Sequence, residues 1–361
     1  MNISQMSSVS KTLVKAFFKL LGFGGFVAFW SAGLEAQESE KIFYLKLHHM
    51  QSAASPAHRL MLSEWADKVS RESNGRIQIR IFPSMQLGGQ SAGVIDQIRD
   101  GITDIGWTLP GYTPGRFPNI EVFELPFMVR STRVMNHAMY DFVQGHPEEF
   151  SDVKILQIFA HAGQVIHSKT PIRNAGDFAG KKIRVPSRVS SWIVDAMGGI
   201  PLGTPVPKIP EMLSKGIIDA TFIPYEASYG LKIHELVDYH ISFDMAHSDR
   251  LQTQIFIFAM NWDSYRALPE DLRAVIDNNS GENTLDWFAQ KWVDFEVPGE
   301  KAAAESGELI KIPAGDVDIL RERIEQPVIE KWISTVAKKN IDGRQLLQEA
   351  RELLQKYENQ Y

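Results

Sequence analysis

The sequence predicts an α/β protein of two lobes around a cleft. Three observations carry this. Residues 41–107 alternate short apolar strands with amphipathic helices, the pattern of a parallel sheet covered by helices. Gly216-Ile217-Ile218-Asp219-Ala220-Thr221-Phe222 then echoes Gly101-Ile102-Thr103-Asp104-Ile105-Gly106-Trp107, as if the winding were used twice. With 361 residues the chain is long enough for two full cores.

In the first half, Lys41 to His48 reads as a strand because Phe43, Leu45 and Leu47 alternate. Ser55 and Pro56 open a helix whose inner face is Leu62, Trp65, Ala66 and Val69. Asn74-Gly75 stops it. Arg76 to Phe82 is the next strand, and a helix over Ser91 to Asp100 stacks Val94, Ile95 and Ile98. Gly101 ends that helix, and Ile102 to Trp107 returns to a strand. A loop rich in Gly and Pro follows over 110–118, then a helix near Thr132 to Val143 and a strand from Val153 to Phe159.

In the second half, Ile183-Arg184-Val185-Pro186-Ser187 shares its strand-Pro-Ser ending with Ile79-Arg80-Ile81-Phe82-Pro83-Ser84. Ser190 to Met197 is a helix, and Pro210 starts another that Gly216 ends. Thr253 to Met260 is a strand. Helices follow at Leu268 to Asn278, over the long stretch Glu282 to Ser306, where Pro298 is a candidate break, and at Val317 to Lys338. Asp342 caps the last helix. If the repeat is real, Trp107 and Phe222 occupy matching strand ends and face each other across the cleft; otherwise they are two core aromatics.

Composition limits the function. Hydrophobic residues make up 44% and charged residues 23%, as in soluble globular proteins. A net charge of −6 without a basic run argues against nucleic acid as a partner. Because there is no cysteine, disulfides, thiolate catalysis and Cys-based metal sites are excluded. Residues 1–36 read as an export signal: Lys11, Lys15 and Lys19, then apolar Leu20 to Trp30, then small residues ending at Ala36. The apolar stretch is short for a membrane span, with an uncleaved anchor as the alternative. An exported mature chain is expected.

Lys181-Lys182-Ile183-Arg184-Val185-Pro186-Ser187 is the stretch on which function turns. Ile183 and Val185 share one strand face, and Pro186 ends the ladder. Arg184 lies off the other face at the C-terminal strand end, the edge where ligands sit in open α/β sheets. A guanidinium there can grip a carboxylate through two parallel hydrogen bonds. On spacing alone, an exposed arginine on a solvated strand is the plainer reading.

An ordered set of motifs adds to this. Asn74-Gly75-Arg76-Ile77-Gln78-Ile79, Leu87-Gly88-Gly89, Phe123-Glu124-Leu125-Pro126-Phe127, Gly180-Lys181-Lys182-Ile183-Arg184-Val185-Pro186 and Gly216-Ile217-Ile218-Asp219 stand in one order along nearly the whole mature chain. In this the sequence resembles DctP-type solute-binding proteins, the extracytoplasmic receptors of tripartite ATP-independent periplasmic (TRAP) transporters. The resemblance implies a periplasmic binding protein-like fold with crossing strands and a long helix, here 282–306, spanning both lobes. Its expected division is a signal at 1–36, lobe I at 37–161 with a return segment 250–285, and lobe II at 162–249 with C-terminal helices 286–361. It implies a monomeric receptor that closes on an organic acid anion and docks on membrane subunits.

The resemblance also implies that Arg184 pairs with the ligand carboxylate. Gln164 stands where sialic-acid receptors carry a second arginine, which makes sialic acid a poor candidate. Some relatives bridge ligand through a metal, using an acidic-aromatic pair. Phe222-Ile223 occupies that neighbourhood here, and the nearest acid is Glu226. No metal or other cofactor is expected, although Gln164 with Glu226 leaves a metal open. Trp107, Phe222 and Tyr225 would supply flat apolar walls, which suits an aromatic or hydroxy monoacid. His49 and Gln90, on loops after first-lobe elements, are further candidate contacts, with His48 beside them; a surface or supporting place is the plainer reading for each. The competing class is a metal-dependent hydrolase at His234, His240 and His247 near Asp238, Asp244 and Asp249. Their spacing matches no zinc signature, and a solvated loop explains them as well.

Overall fold

The computed structural model describes residues 41–361; the export signal expected at 1–36 lies outside them. In chain order the elements are β1 (Phe43–His49), a π-helical turn (Ala57–Leu62), α1 (Ser63–Glu72), β2 (Ile77–Phe82), α2 (Val94–Arg99), β3 (Ile105–Thr108), α3 (Thr132–Gly145), β4 (Lys154–Ala160) and β5 (Val165–Ser168). There follow β6 (Lys182–Val185), α4 (Arg188–Ala196), β7 (Ile200–Gly203), α5 (Ile209–Ser214), β8 (Ala220–Ile223), α6 (Tyr225–Gly230), β9 (Tyr239–Phe243) and β10 (Ile255–Met260). Last come α7 (Trp262–Arg266), α8 (Glu270–Asn278), α9 (Leu285–Ser306), β11 (Glu308–Ile312), α10 (Ala314–Ala337) and α11 (Gly343–Glu358). Among the described residues no helix is long and apolar enough to cross a membrane.

The strands form two sheets, ordered β2-β1-β3-β10-β4 and β11-β9-β5-β8-β6-β7. In the first, β1 pairs parallel with β2 and β3, and β10 runs antiparallel between β3 and β4. In the second, β6 pairs parallel with β7 and β8, and β5 runs antiparallel between β8 and β9. The order 2-1-3-10-4 thus returns as 7-6-8-5-9, with β11 added at one edge. The chain crosses between the sheets at 161–164 and again at 244–254.

The repeated motif has a physical basis. Gly101 and Gly216 both adopt left-handed φ, +71° and +66°, and close their helices by the same pair of bonds. Gly101 N donates to Ile98 O and Ile102 N to Gln97 O; Gly216 N donates to Leu213 O and Ile217 N to Met212 O. The shared aspartates do the same work. Asp104 accepts from Lys46 N in β1 at 2.7 Å, and Asp219 accepts from Lys182 N in β6 at 2.8 Å. The counterpart of β6 is therefore β1, not β2; the shared strand-Pro-Ser ending is a coincidence of turn chemistry.

Helix α9 runs unbroken through Pro298. It packs on α3 and β4 beside the first sheet and on α6 and β11 beside the second. Trp65, Trp107, Phe258, Phe288 and Trp292 fill one core under the first sheet. The C-terminal helices divide: α10 lies against α4, and α11 against α3. The sequence grouping had placed both with the second lobe. Four strands carried no sequence signal that separated them from loops: β5, β7, β9 and β11.

Candidate functional site

Arg184 sits in β6 between β7 and β8 and is 1% exposed. Its Nε donates to Thr204 O at 2.8 Å and its Nη1 to Phe222 O at 2.9 Å. These carbonyls belong to the segments on either side, so the guanidinium plane is fixed by the sheet itself. Nη2 is buried without a partner, and among the described residues no carboxylate pairs with the side chain. Burial pulls its pKa down to about 10, partly offset by the Tyr112 hydroxyl nearby, so it stays charged at neutral pH.

Arg184 lines a narrow cavity between the two sheets. Met50, Gln51, Leu109, His161, Gln254 and Phe256 line it from the first sheet and the crossings. Gln164, Pro186, Val206, Phe222, Ile223, Pro224, Glu226 and Ala227 line it from the second. Gln164 and Gln254 are buried, and each has an Oε1 without a partner. A half-turn of either amide presents NH₂ instead, so both can serve a carboxylate.

The other titratable groups of the cavity are held neutral. Burial, helped by the charge of Arg250, lowers His161 to about 3. Burial, with the nearby Glu296, raises Glu226 to about 8. One cation therefore faces neutral amides and apolar walls, which is the electrostatics of a site for a monoanion.

Four of the eight residues expected here line the cavity: Arg184, Gln164, Phe222 and Glu226. Trp107 does not. It lies fully buried in β3 with its ring 4.9 Å from Phe256 and 6.4 Å from Trp292, because α9 covers that face of the sheet. Phe256, from the antiparallel β10, takes the wall position instead. Tyr225 turns toward α9, under the Arg250 guanidinium at 5.1 Å and beside His167 at 5.5 Å. His49 points beneath the π-helical turn, where its Nε2 meets His58 Nδ1 at 2.9 Å. Gln90 is exposed on the loop before α2. His48 is buried too, against Gln97 at 2.8 Å.

The three histidines of the competing class do not form a ligand set either, His247 lying apart on the surface. His240 is buried in β9 against His167 at 2.7 Å, rather than in a solvated loop. His247 pairs with Glu358 at 2.8 Å on the surface. Among the described residues no group of three or more His, Asp or Glu is placed to hold a metal ion.

His161 and Gln254 were not foreseen. Their signal was a polar run, Gln252-Thr253-Gln254, entering the wholly apolar strand β10, and its counterpart His161 to Gln164 leaving β4. Both runs are the crossings between sheets.

Buried carboxyls give a prediction for stability. Glu124 is 1% exposed, and burial with the Glu121 charge raises it to about 8. Burial, with the nearby Glu296, raises Glu226 to about 8 as well. Unfolding releases their protons at any pH between the ordinary glutamate value and about 8, so stability falls as pH rises through that window and levels above it. The buried neutral histidines oppose this only below about pH 6.5, where the unfolded chain takes up protons the fold refuses. Urea midpoints should therefore fall between about pH 6.5 and 8, and Glu124→Gln should flatten part of the decline. A midpoint that rises over this interval would refute the buried neutral state.

The family model described as bacterial extracellular solute-binding protein, family 7 (DctP), matches residues 47–334. A TRAP solute-binding protein of Rhodoferax ferrireducens T118, solved with copurified benzoate, is 41% identical with a TM-score of 0.85, covering 88% of this chain and 99% of that one. A marine metagenome TRAP solute-binding protein specific for aromatic acid ligands, solved with 3-hydroxybenzoate, is 36% identical with a TM-score of 0.85, covering 88% and 99%. The outer membrane transporter protein TsaT of Comamonas testosteroni is 23% identical over 314 residues, 84% of this chain and 89% of that protein.

Proposed function

Since the chain belongs to family 7 of the bacterial extracellular solute-binding proteins, the DctP receptors of TRAP transporters, we propose that it captures an aromatic monocarboxylate in the cavity between its sheets. Members of this family bind solutes and carry out no chemistry on them, which removes the hydrolase reading. The observation that carries the proposal is the buried, charged Arg184, oriented by two carbonyls and left with a free Nη2. A buried cation without a counterion is costly, and an arriving carboxylate relieves that cost.

In this reading Arg184 holds the carboxylate and Gln164 supports it. Phe222 and Phe256 lie along the ring. A single cation leaves the second charge of a dicarboxylate unpaired in a dry site, which selects against it. The two relatives found with benzoate and 3-hydroxybenzoate support the aromatic class. The receptor acts as a monomer in the periplasm, exported by residues 1–36, and hands its solute to the membrane subunits of its transporter. The lobes are taken to follow the two sheets, lobe I at 41–161 with 250–285 and lobe II at 162–249 with the C-terminal helices from 286, α11 lying instead against α3 of the first.

Thermal unfolding with added acids tests this. Benzoate at about a hundred times its Kd should stabilise by roughly 2.7 kcal/mol, and succinate should have no effect. Stabilisation by succinate without stabilisation by benzoate would overturn the proposal.

A further inference from the structure

Glu226 is a buried carboxyl whose place in the cavity the capture of a carboxylate does not explain. It is 0% exposed and stands in the first turn of α6, directly after β8 and the cavity wall Phe222 to Pro224. Its Oε1 accepts from Ala57 N at 3.4 Å, at the start of the π-helical turn beyond β1. Its Oε2 has no partner among the described residues. The backbone beneath is pinned: Glu296 of α9 accepts from Tyr225 N at 3.3 Å and from Glu226 N at 3.0 Å. One carboxyl oxygen is thus committed across the cleft, and the other is spare.

We propose that Glu226 reads the ring of the ligand, donating its carboxyl O–H to a hydroxyl oxygen there, so that the cleft prefers a hydroxylated aromatic monocarboxylate to the bare acid. This rests on the reading of the cavity as an aromatic-acid site. The proton belongs on Oε2, because Oε1 is already an acceptor. A neutral acid is the form in which Glu226 can donate, and also the form that tolerates a ligand anion in the same enclosed space.

The charged and titratable groups around it favour that form. Glu296 on α9 lies behind it and is itself raised to about 7, by burial first. Arg250 stands beyond Glu296, its Nη2 at 3.9 Å. Tyr225, its neighbour on α6, turns toward Arg250 rather than the cavity. His161, from the crossing after β4, is neutral. His58 follows Ala57 on the π-helical turn and bonds His49 instead. Arg184, the cavity's cation, is committed to Thr204 O and Phe222 O with one nitrogen left for the ligand.

The test is calorimetry on the full mature chain with benzoate, 3-hydroxybenzoate and 4-hydroxybenzoate, in the wild type, Glu226→Gln and Glu226→Leu. One hydroxybenzoate should bind wild type about five- to tenfold more tightly than benzoate, and in Glu226→Leu the ratio of the two affinities should fall to about one, whatever the variant's affinity for benzoate itself. Benzoate affinity of the wild type should fall about tenfold from about pH 7 to 9, as the carboxyl ionises beside the ligand anion, and Glu226→Gln should show no such fall. Two outcomes overturn the proposal alone: equal hydroxybenzoate preference in wild type and Glu226→Leu, or the same fall with pH in Glu226→Gln. If none of the three acids binds wild type, the aromatic-acid reading fails and takes this one with it.

Discussion

Arg184→Met should abolish carboxylate capture while leaving the unliganded protein folded and close to wild type in stability. The two halves of this result come from one fact. The guanidinium is buried, held by Thr204 O and Phe222 O, and faces no counterion among the described residues. Desolvating such a charge costs free energy that only a ligand returns. Replacing it with a side chain of similar length and no charge removes that cost, offsetting the two carbonyls left without donors. Truncating one member of a buried charged pair typically costs about 2–5 kcal/mol of binding, a loss of roughly thirty- to several-thousandfold in Kd. Arg184→Lys should fall between, because an ammonium restores the charge but cannot span both carbonyls and a carboxylate in one plane. Calorimetry against benzoate, with urea unfolding of the unliganded variants, measures both halves. Unchanged affinity in Arg184→Met would remove the residue from the site. A collapse of unliganded stability would show that it belongs to the framework instead.

Arg184 was legible from sequence because its signal is local. Ile183 and Val185 fix the strand face, Pro186 fixes its end, and the end of a strand in such a sheet is where ligands lie. Trp107 was misplaced because the relevant fact is not local. It and Phe222 end equivalent strands, β3 and β8, after the same Gly and Asp. What separates them is the covering element. Trp292 of α9, far along the chain, lies on the Trp107 side, while the cavity opens beside Phe222. Phe256 and Gln254 reach the site on a strand that returns from the second lobe, and no periodicity announces a crossing. The missed strands follow the same rule. β7 reads Ile-Pro-Leu-Gly and β5 reads Val-Ile-His-Ser, too short for a pattern, and only pairing with β6, β8 and β9 makes them strands.

The largest expected loss of stability is at Gly299, a position where helix propensity alone points the other way. Gly299 lies in α9, one residue after Pro298, and alanine is worth about 1 kcal/mol more than glycine inside a helix. A Cβ there, however, would clash with Tyr225 O and stand 2.6 Å from Tyr225 C. Those atoms are backbone, in the first turn of α6, and cannot step aside by changing rotamer. They are also tied to α9 itself, since Glu296, one turn earlier, accepts from the backbone N–H groups of Tyr225 and Glu226. The added methyl must push α6 away and stretch those two bonds, leaving the buried Glu296 carboxyl short of donors. Overpacking of this kind costs about 1–3 kcal/mol, and loss of a buried hydrogen bond a further 1–3, so Gly299→Ala should be destabilised by about 1–5 kcal/mol net of the propensity gain. Ligand affinity should fall as well, because α6 carries Glu226 and follows directly from Phe222. The control is Gly315 in α10, where a Cβ would meet nothing within 4 Å. Gly315→Ala should be neutral or more stable by up to about 1 kcal/mol. Urea unfolding of the two variants separates the explanations: if Gly299→Ala is as stable as Gly315→Ala, α6 and α9 are not held at the spacing described, and the rigid support of the cavity floor fails with it.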